Sequence, residues 1–189
     1  MRTLQRVGAG LLALTLAVGI AACGDDDDDT ADGTTTSETD TTEPAGETVE
    51  VTAVDYAYEG LPESIEAGTR LTLTNSSTAE LHELVAFLLP ATENRSVDEI
   101  AALPEAELEA LFAGEPAAVL LAPPGGGDQI EAVGDGTFTE PGRYLVFCAI
   151  PTGADPDAYL NAPPGDGPPE VEGGPPHFTQ GMYGEFTVE

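Results

Sequence analysis

Sulfur and imidazole side chains are rare in this 189-residue chain, and those present could together bind a metal ion. Met1 and Cys23 belong to an N-terminal segment that we expect to be processed. The rest of the chain then has one Cys, two His and one Met, which are Cys148, His82, His177 and Met182. A thiolate and a thioether favour Cu(I), whereas two imidazoles hold Cu(II). Two His, one Cys and a weak axial Met therefore predict a type 1 copper site that passes single electrons.

Taken singly, each of these residues could have an ordinary structural role instead of binding a metal. A buried Cys is usually a small core residue, and a Met usually fills a gap in a core. The metal hypothesis rests on their combination and on their positions relative to the predicted strands. An unpaired Cys in an exported protein also requires an explanation, because no second Cys in the domain can form a disulfide with it.

Apolar and polar residues alternate in several short segments after residue 47, which predicts β-strands. Residues 48–58 form one such segment, and residues 63–75 form two, separated by a turn at Gly68. Residues 82–89 are mostly apolar and predict a core strand. Further strands are predicted at 117–121, 129–133, 137–139, 143–148 and 182–188. Many short strands between Gly/Pro turns predict an all-β sandwich, with the four donor residues at the ends of strands.

The segment from about residue 96 to residue 113 has a helical pattern instead. Ser96 and Glu99 have the spacing of a capping box, and Gly114 follows the last apolar residue. Pro104 interrupts the pattern, because proline disfavours a helical conformation in the residue before it. The sequence leaves two alternatives open, one helix or two short helices broken before Pro104.

Residues 1–22 are predicted to be a secretory signal peptide. Arg2 and Arg6 precede a mostly apolar run that is too short for a membrane-spanning helix of roughly 20 residues. The run ends in Ile-Ala-Ala-Cys, which resembles the bacterial lipobox, in which the Cys becomes the lipid-modified first residue. An ordinary signal peptide with a chance Cys23 is the alternative. Lipidation predicts a protein anchored to the extracytoplasmic face of the cell membrane.

Residues 23–47 are predicted to be a lipidated Cys and a disordered acidic linker, because Asp, Glu, Thr and Gly dominate this segment. The whole chain has 35 acidic residues and 5 basic ones, a formal net charge of −30. That charge argues strongly against nucleic-acid binding, which requires a basic surface. It suits a basic protein partner, although solubility alone would also account for it. Residues 48–189 are predicted to form one folded domain.

The segments around the four donor residues resemble the cupredoxin family, which includes plastocyanin. "GRYLVFC" followed by "PHFTQGMYGEFTV" is similar to the C-terminal copper loop, and "SIEAGTRLTLTNSSTAELHEL" is similar to the segment that leads to the first His ligand. The resemblance covers about residues 48–189. It implies a Greek-key β-sandwich with one type 1 copper ion, bound by His82, Cys148, His177 and, axially, Met182. Gly181 and Gly184 would permit a tight turn there. Halocyanins share the lipobox and the acidic spacer.

Two features depart from the plastocyanin pattern. A 28-residue insert, residues 149–176, separates Cys148 from His177, and it contains eight Pro and five Gly. We expect this insert to be a loop without a core of its own. The residue after the first His is Glu83, where plastocyanins carry an Asn that ties the two ligand loops together. We expect that tie to be lost or replaced.

These observations predict an exported, membrane-anchored, monomeric blue copper protein that carries single electrons and is not an enzyme. In cupredoxins, electrons usually enter around the exposed edge of the second His ligand. The acidic insert would then dock a basic redox protein such as a c-type cytochrome, unless it is a disordered decoration. Two alternative functions are copper capture or delivery without redox traffic, aided by a mobile insert, and a metal-free cupredoxin-fold binding module.

Overall fold

The computed structural model describes residues 46–163 and 167–189. The predicted signal peptide (1–22), the Cys23 lipidation site and the acidic linker up to residue 45 lie outside the described residues, as do residues 164–166 of the insert. Within the two described ranges, no helix is both long enough and apolar enough to cross a membrane.

The described part of the chain contains ten β-strands, three short α-helices and one 3₁₀ turn. The strands are β1 (Thr48–Val54), β2 (Ala57–Glu59), β3 (Ser64–Ile65), β4 (Thr69–Asn75), β5 (His82–Leu88), β6 (Ala118–Ala122), β7 (Ile130–Val133), β8 (Thr137–Phe138), β9 (Gly142–Phe147) and β10 (Tyr183–Val188). The helices are α1 (Val97–Ala101), α2 (Glu105–Leu111) and α3 (Pro156–Leu160), and the 3₁₀ turn is His177–Gln180.

The strands form two mixed sheets that share one core. The four-stranded sheet has the order β2-β1-β4-β8, and the six-stranded sheet has the order β3-β10-β9-β5-β6-β7. β1 is parallel to β4 and β3 is parallel to β10, whereas the other neighbouring pairs are antiparallel. The chain crosses from one sheet to the other after β2, β3, β4, β7 and β8. The predicted all-β Greek-key sandwich is confirmed.

The inward-facing residues follow the alternation seen in the sequence. In β4, Leu71 and Leu73 are buried, whereas Thr72 between them is only partly buried. The predicted single strand over residues 48–58 is wrong in one respect. Tyr56 has a positive φ of 64°, so the chain reverses there and β2 pairs antiparallel with β1. Alternation records which face a side chain occupies and does not show where a strand folds back.

The helical segment covers the outer face of the six-stranded sheet. Ile100 packs with Leu89 and Leu145, and the rings of Phe112 and Phe147 are 5.2 Å apart. This cover explains why β5 is mostly apolar, since both of its faces are buried. The capping box at Ser96 forms as predicted, and the chain breaks before Pro104 into α1 and α2. The second of the two alternatives is therefore the observed one.

The first half of the insert, residues 149–176, packs into the core of the domain rather than forming a core of its own. Ile150, Ala154 and Tyr159 are buried and belong to the main core. α3 begins where Asp155 accepts a hydrogen bond from the N–H of Ala158 at 2.8 Å, with Pro156 at the first helical position. Proline favours that position because its fixed φ suits a helix start. The composition indicated an irregular loop, but a capped helical turn and three buried side chains attach its first half to the domain.

Candidate metal centre

The topology brings all four predicted ligands to one end of the sandwich. β9 lies between β5 and β10 and is antiparallel to both, so the end of β9 lies beside the starts of its two neighbours. His82 is the first residue of β5, and Cys148 directly follows β9. His177 begins the 3₁₀ turn, and Met182 directly precedes β10. Residues that are far apart in sequence therefore meet at three adjacent strand ends.

Three of the four form a compact cluster. Donor atoms of His82, Cys148 and His177 all lie within 4.8 Å of one another. Sγ of Cys148 is 3.3 Å from Nδ1 of His177, and the centroids of the two imidazole rings are 4.9 Å apart. None of the three side chains has any solvent exposure. A single ion could contact all three donors in this buried space.

Met182 is also fully buried and is connected to two of these residues through the backbone. Its N–H donates to the carbonyl of His177 at 3.2 Å, and its carbonyl accepts the N–H of Cys148 at 3.1 Å. Two further backbone hydrogen bonds join the same segments. The N–H of Phe178 donates to the carbonyl of Cys148 at 2.8 Å, and the N–H of His177 donates to the carbonyl of Ile150 at 3.0 Å. The backbone around the cluster is therefore fixed by its own hydrogen bonds. The axial role of Met182 stays a prediction.

The two glycines near Met182 have different roles. Gly181 ends the 3₁₀ turn with a φ of 109°, a conformation that favours glycine, as the tight turn requires. Gly184 lies within β10, where an added Cβ would be 2.5 Å from Cδ2 of Leu61. The expectation of a turn at Gly184 is therefore wrong, because this glycine allows close packing against Leu61.

The His82 side chain shows that these residues fit a metal ion. Its two ring nitrogens are buried, and neither has a hydrogen-bond partner among the residues that the structure describes. A buried polar atom left unpaired costs about 1–3 kcal/mol, and buried polar side chains nearly always have a partner. A cation that accepts the imidazole lone pair removes part of that cost. The thiol of Cys148 and the imidazole of His177 lie close enough to bind the same cation.

The ionisation states of the cluster are shaped by burial. Burial and the neighbouring His177 lower the pKa of His82 to about 4, so His82 is neutral at neutral pH, as a metal ligand must be. Burial likewise lowers the pKa of His177. Burial and the charge of the Glu83 carboxylate raise the pKa of the Cys148 thiol, against hydrogen bonds from the backbone N–H groups of Glu83 and Ile150. A bound cation would provide the missing positive charge, and the thiol would lose its proton when the ion binds.

Glu83 is almost fully buried and forms hydrogen bonds with several parts of the site. Its backbone N–H points at Sγ of Cys148 at 3.4 Å, and its backbone carbonyl accepts the hydroxyl of Tyr58. Its carboxylate accepts the N–H of Ala149 at 2.9 Å and the hydroxyl of Tyr159 at 3.2 Å. The tie between the two ligand segments, expected to be lost or replaced, is made by this carboxylate. Burial raises the pKa of Glu83 to about 7, against the two hydrogen bonds.

The expectation that the second His has an exposed edge is wrong for this chain. His177 has no solvent exposure. The ring of Tyr56 packs edge-on against it, with the centroids 5.1 Å apart, and the carboxylate of Glu80 lies 3.4 Å from its Nε2. Neither Glu80 nor Tyr56 was predicted from the sequence, because a Glu two residues before a His and a Tyr in a hairpin carry no specific signal.

No protein-family model matches the sequence, and no curated protein matches it either. Solved structures that are similar include dithionite-reduced auracyanin from the photosynthetic bacterium Roseiflexus castenholzii. It is 22% identical, with a TM-score of 0.41, and the match covers 77% of this chain and 98% of that one.

Two further auracyanins are similar at comparable identity. Auracyanin A, a blue copper protein from the green thermophilic photosynthetic bacterium Chloroflexus aurantiacus, is 20% identical with a TM-score of 0.40, over 75% of this chain and 98% of that one. Auracyanin B is 22% identical with a TM-score of 0.33, over 78% of this chain and 91% of that one. The fold and the His–Cys–His geometry of the present chain fit a cupredoxin, and the case for its metal site rests on its own donor atoms.

Proposed function

We propose that this protein is a blue copper electron carrier. The observation that carries the proposal is the fully buried cluster of His82, Cys148 and His177, in which both ring nitrogens of His82 lack a partner among the described residues. We assign one type 1 copper ion to these three residues, with Met182 as a weak axial ligand. A mixed set of imidazole and sulfur donors suits an ion that changes between Cu(I) and Cu(II).

When bound, a copper ion would supply a one-electron couple, with the electron given and taken by external redox proteins. The residues of the chain hold the donors in place and exclude water. The hydrogen bonds of Glu83 and of the Cys148–Met182 backbone keep the donors from moving. A rigid donor set favours electron transfer, because little rearrangement accompanies a change of oxidation state. The burial of all three donors argues against an enzyme, since a catalytic metal keeps one position open.

A mobile insert that eases metal entry would favour the alternative of copper capture and delivery. Tyr159 of the insert is buried and bonded to Glu83, which favours the electron carrier. The test is to add Cu(II) to the purified domain and to record the visible spectrum and the voltammogram together. Strong thiolate-to-copper absorption with reversible cycling is expected. Tight binding with neither property would support copper handling, and an absence of binding would support the metal-free module.

We propose that the protein is anchored at the extracytoplasmic face of the cell membrane through lipidated Cys23. The support comes from the sequence, in which an apolar run ends in Ile-Ala-Ala-Cys before an acidic segment. Cys23→Ala is expected to release the protein from membranes or to block its processing, because two or more acyl chains provide the stable anchor. Membrane fractionation and mass spectrometry of residue 23 provide the measurement. A soluble wild-type protein with an unmodified Cys23 would disprove the anchor.

We propose that the monomer docks a basic redox protein, such as a c-type cytochrome, through the acidic insert. Asp157, Glu170 and Glu172 are exposed, whereas Asp155 caps α3 and Tyr159 is bonded to Glu83. A deletion of the insert would therefore disturb the site, and neutralising the exposed acids is the cleaner change. The net charge of −30 argues against nucleic acid as a partner.

Changing Asp157 to Asn and Glu170 and Glu172 to Gln is expected to slow electron transfer to a basic c-type cytochrome by about tenfold or more at low ionic strength. The difference should vanish at high salt, because screening removes the attraction that speeds association. Stopped-flow kinetics over a range of salt provides the measurement. The matched control neutralises Glu63, Glu66 and Glu189 at the other end of β10. Equal rates for the two triple variants would show that the insert does not dock the partner.

A further inference from the structure

The carboxylate of Glu80 lies beside Nε2 of His177, on the side of the ring that faces away from Cys148. Its Oε2 lies 3.4 Å from Nε2 of His177, and its side chain is 18% exposed. Nε2 of His177 has no regular hydrogen-bond partner among the described residues, so its attraction to this carboxylate is mainly electrostatic. The opposite ring nitrogen, Nδ1, faces Sγ of Cys148 at 3.3 Å. The two sides of this imidazole therefore face two different groups, a carboxylate and the predicted metal position.

The backbone of Glu80 is fixed on both sides by the loop before β5. Its N–H donates to Oγ of Ser77 at 3.0 Å, and its carbonyl accepts Nδ2 of Asn75 at 2.9 Å. The same Asn75 donates to the carbonyl of Ala122 at 2.8 Å and is itself buried. The position of Glu80 is therefore determined by the core rather than by chance contact at the surface.

The side chain of Glu80 is held by the insert. The N–H of Gly153 donates to its Oε2 at 3.0 Å and lies 3.2 Å from its Oε1. Gly153 has a φ of 70°, a conformation that favours glycine. The insert thus contributes a contact that keeps the carboxylate against His177.

The contacts of an imidazole decide which of its nitrogens carries the proton. A carboxylate beside Nε2 favours the tautomer with the proton on Nε2, which leaves the lone pair of Nδ1 free to bind a metal. The negative charge also makes the imidazole more basic and stabilises a more positive ion. Both effects act more strongly on Cu(II) than on Cu(I).

We propose that Glu80 is a positioning residue that fixes the tautomer of His177 and lowers the reduction potential of the bound copper. This inference rests on the proposed electron-carrier function. It assigns to the insert, through Gly153, a second role beside that of a docking surface, because the insert holds the carboxylate that tunes the ion.

The test compares Glu80→Gln, which removes the charge and keeps the shape, with Glu66→Gln, an exposed substitution at the other end of the domain. Cu(II) and Cu(I) affinities are measured by chelator competition, and the midpoint potential is measured by voltammetry. Glu80→Gln is expected to lose about tenfold or more in Cu(II) affinity relative to Cu(I). That change corresponds to a rise of about 59 mV in the potential. Glu66→Gln should match the wild type.

A second readout does not require copper. In the copper-free protein, ¹⁵N NMR of the His177 ring should show the proton on Nε2 in the wild type and a mixture of tautomers in Glu80→Gln. If Glu80→Gln does not fold, Glu80→Asp replaces it, because the shorter side chain keeps the charge but withdraws it from the ring. Its potential should then lie above that of the wild type.

The outcomes separate this inference from the proposed function. A wild-type protein without thiolate-to-copper absorption would disprove the electron carrier, whatever the variants show. A blue wild-type protein whose potential and His177 tautomer are the same in Glu80→Gln and Glu66→Gln would overturn the role of Glu80 and leave the electron carrier intact.

Discussion

Replacing Cys148 with serine is expected to abolish the visible absorption of the copper-loaded protein completely. The thiolate supplies the electron for the charge-transfer transition, and a serine hydroxyl neither ionises in this buried position nor forms the same bond to copper. Serine is close to cysteine in size, so the fold should survive the change. The measurement is a titration with Cu(II) followed by visible spectroscopy, with circular dichroism to verify the fold.

Met182→Leu is the matched control for this prediction. It removes the other buried sulfur and leaves the thiolate, so the colour should remain while the reduction potential rises, because a weak donor that stabilises Cu(II) is lost. A Cys148→Ser protein that keeps its colour would remove Cys148 from the site. It would also disprove the arrangement of the His–Cys–His cluster proposed above.

Glu83→Ala is expected to be the most destabilising single change at this end of the domain. It removes the acceptor for the N–H of Ala149 and for the hydroxyl of Tyr159, and each group left buried without a partner costs about 1–3 kcal/mol. It also leaves a cavity beneath the insert. The measurement is the free energy of unfolding of the copper-free protein in urea, which separates this effect from any loss of metal.

Two substitutions control for this effect. Glu83→Gln keeps the shape and an acceptor oxygen, so it should cost much less than the alanine change. Glu66→Ala changes an exposed residue, and it should alter the free energy of unfolding by less than about 0.5 kcal/mol. If Glu83→Ala were as mild as Glu66→Ala, the bonds of Glu83 would not be what attaches the insert to the domain.

Composition gave an incomplete description of the insert. Its many prolines and glycines predicted a loop without a core of its own, but they did not indicate that Tyr159 and Ile150 would be buried in the core of the domain. Composition measures the average tendency of a segment to fold by itself. It does not detect one aromatic residue that fills a space in the neighbouring domain, because the shape of that space is formed by other strands.

The sequence alone predicted the four candidate donor residues and placed them at strand ends. Strand alternation, the capping box at Ser96 and the break at Pro104 depend on near neighbours in the chain, so a local pattern records them. The roles of Glu80 and Glu83 were decided only by the tertiary structure. Their partners Gly153 and Tyr159 are 73 and 76 residues away in the sequence. A carboxylate has no specific role until folding removes its water and determines which donors replace it.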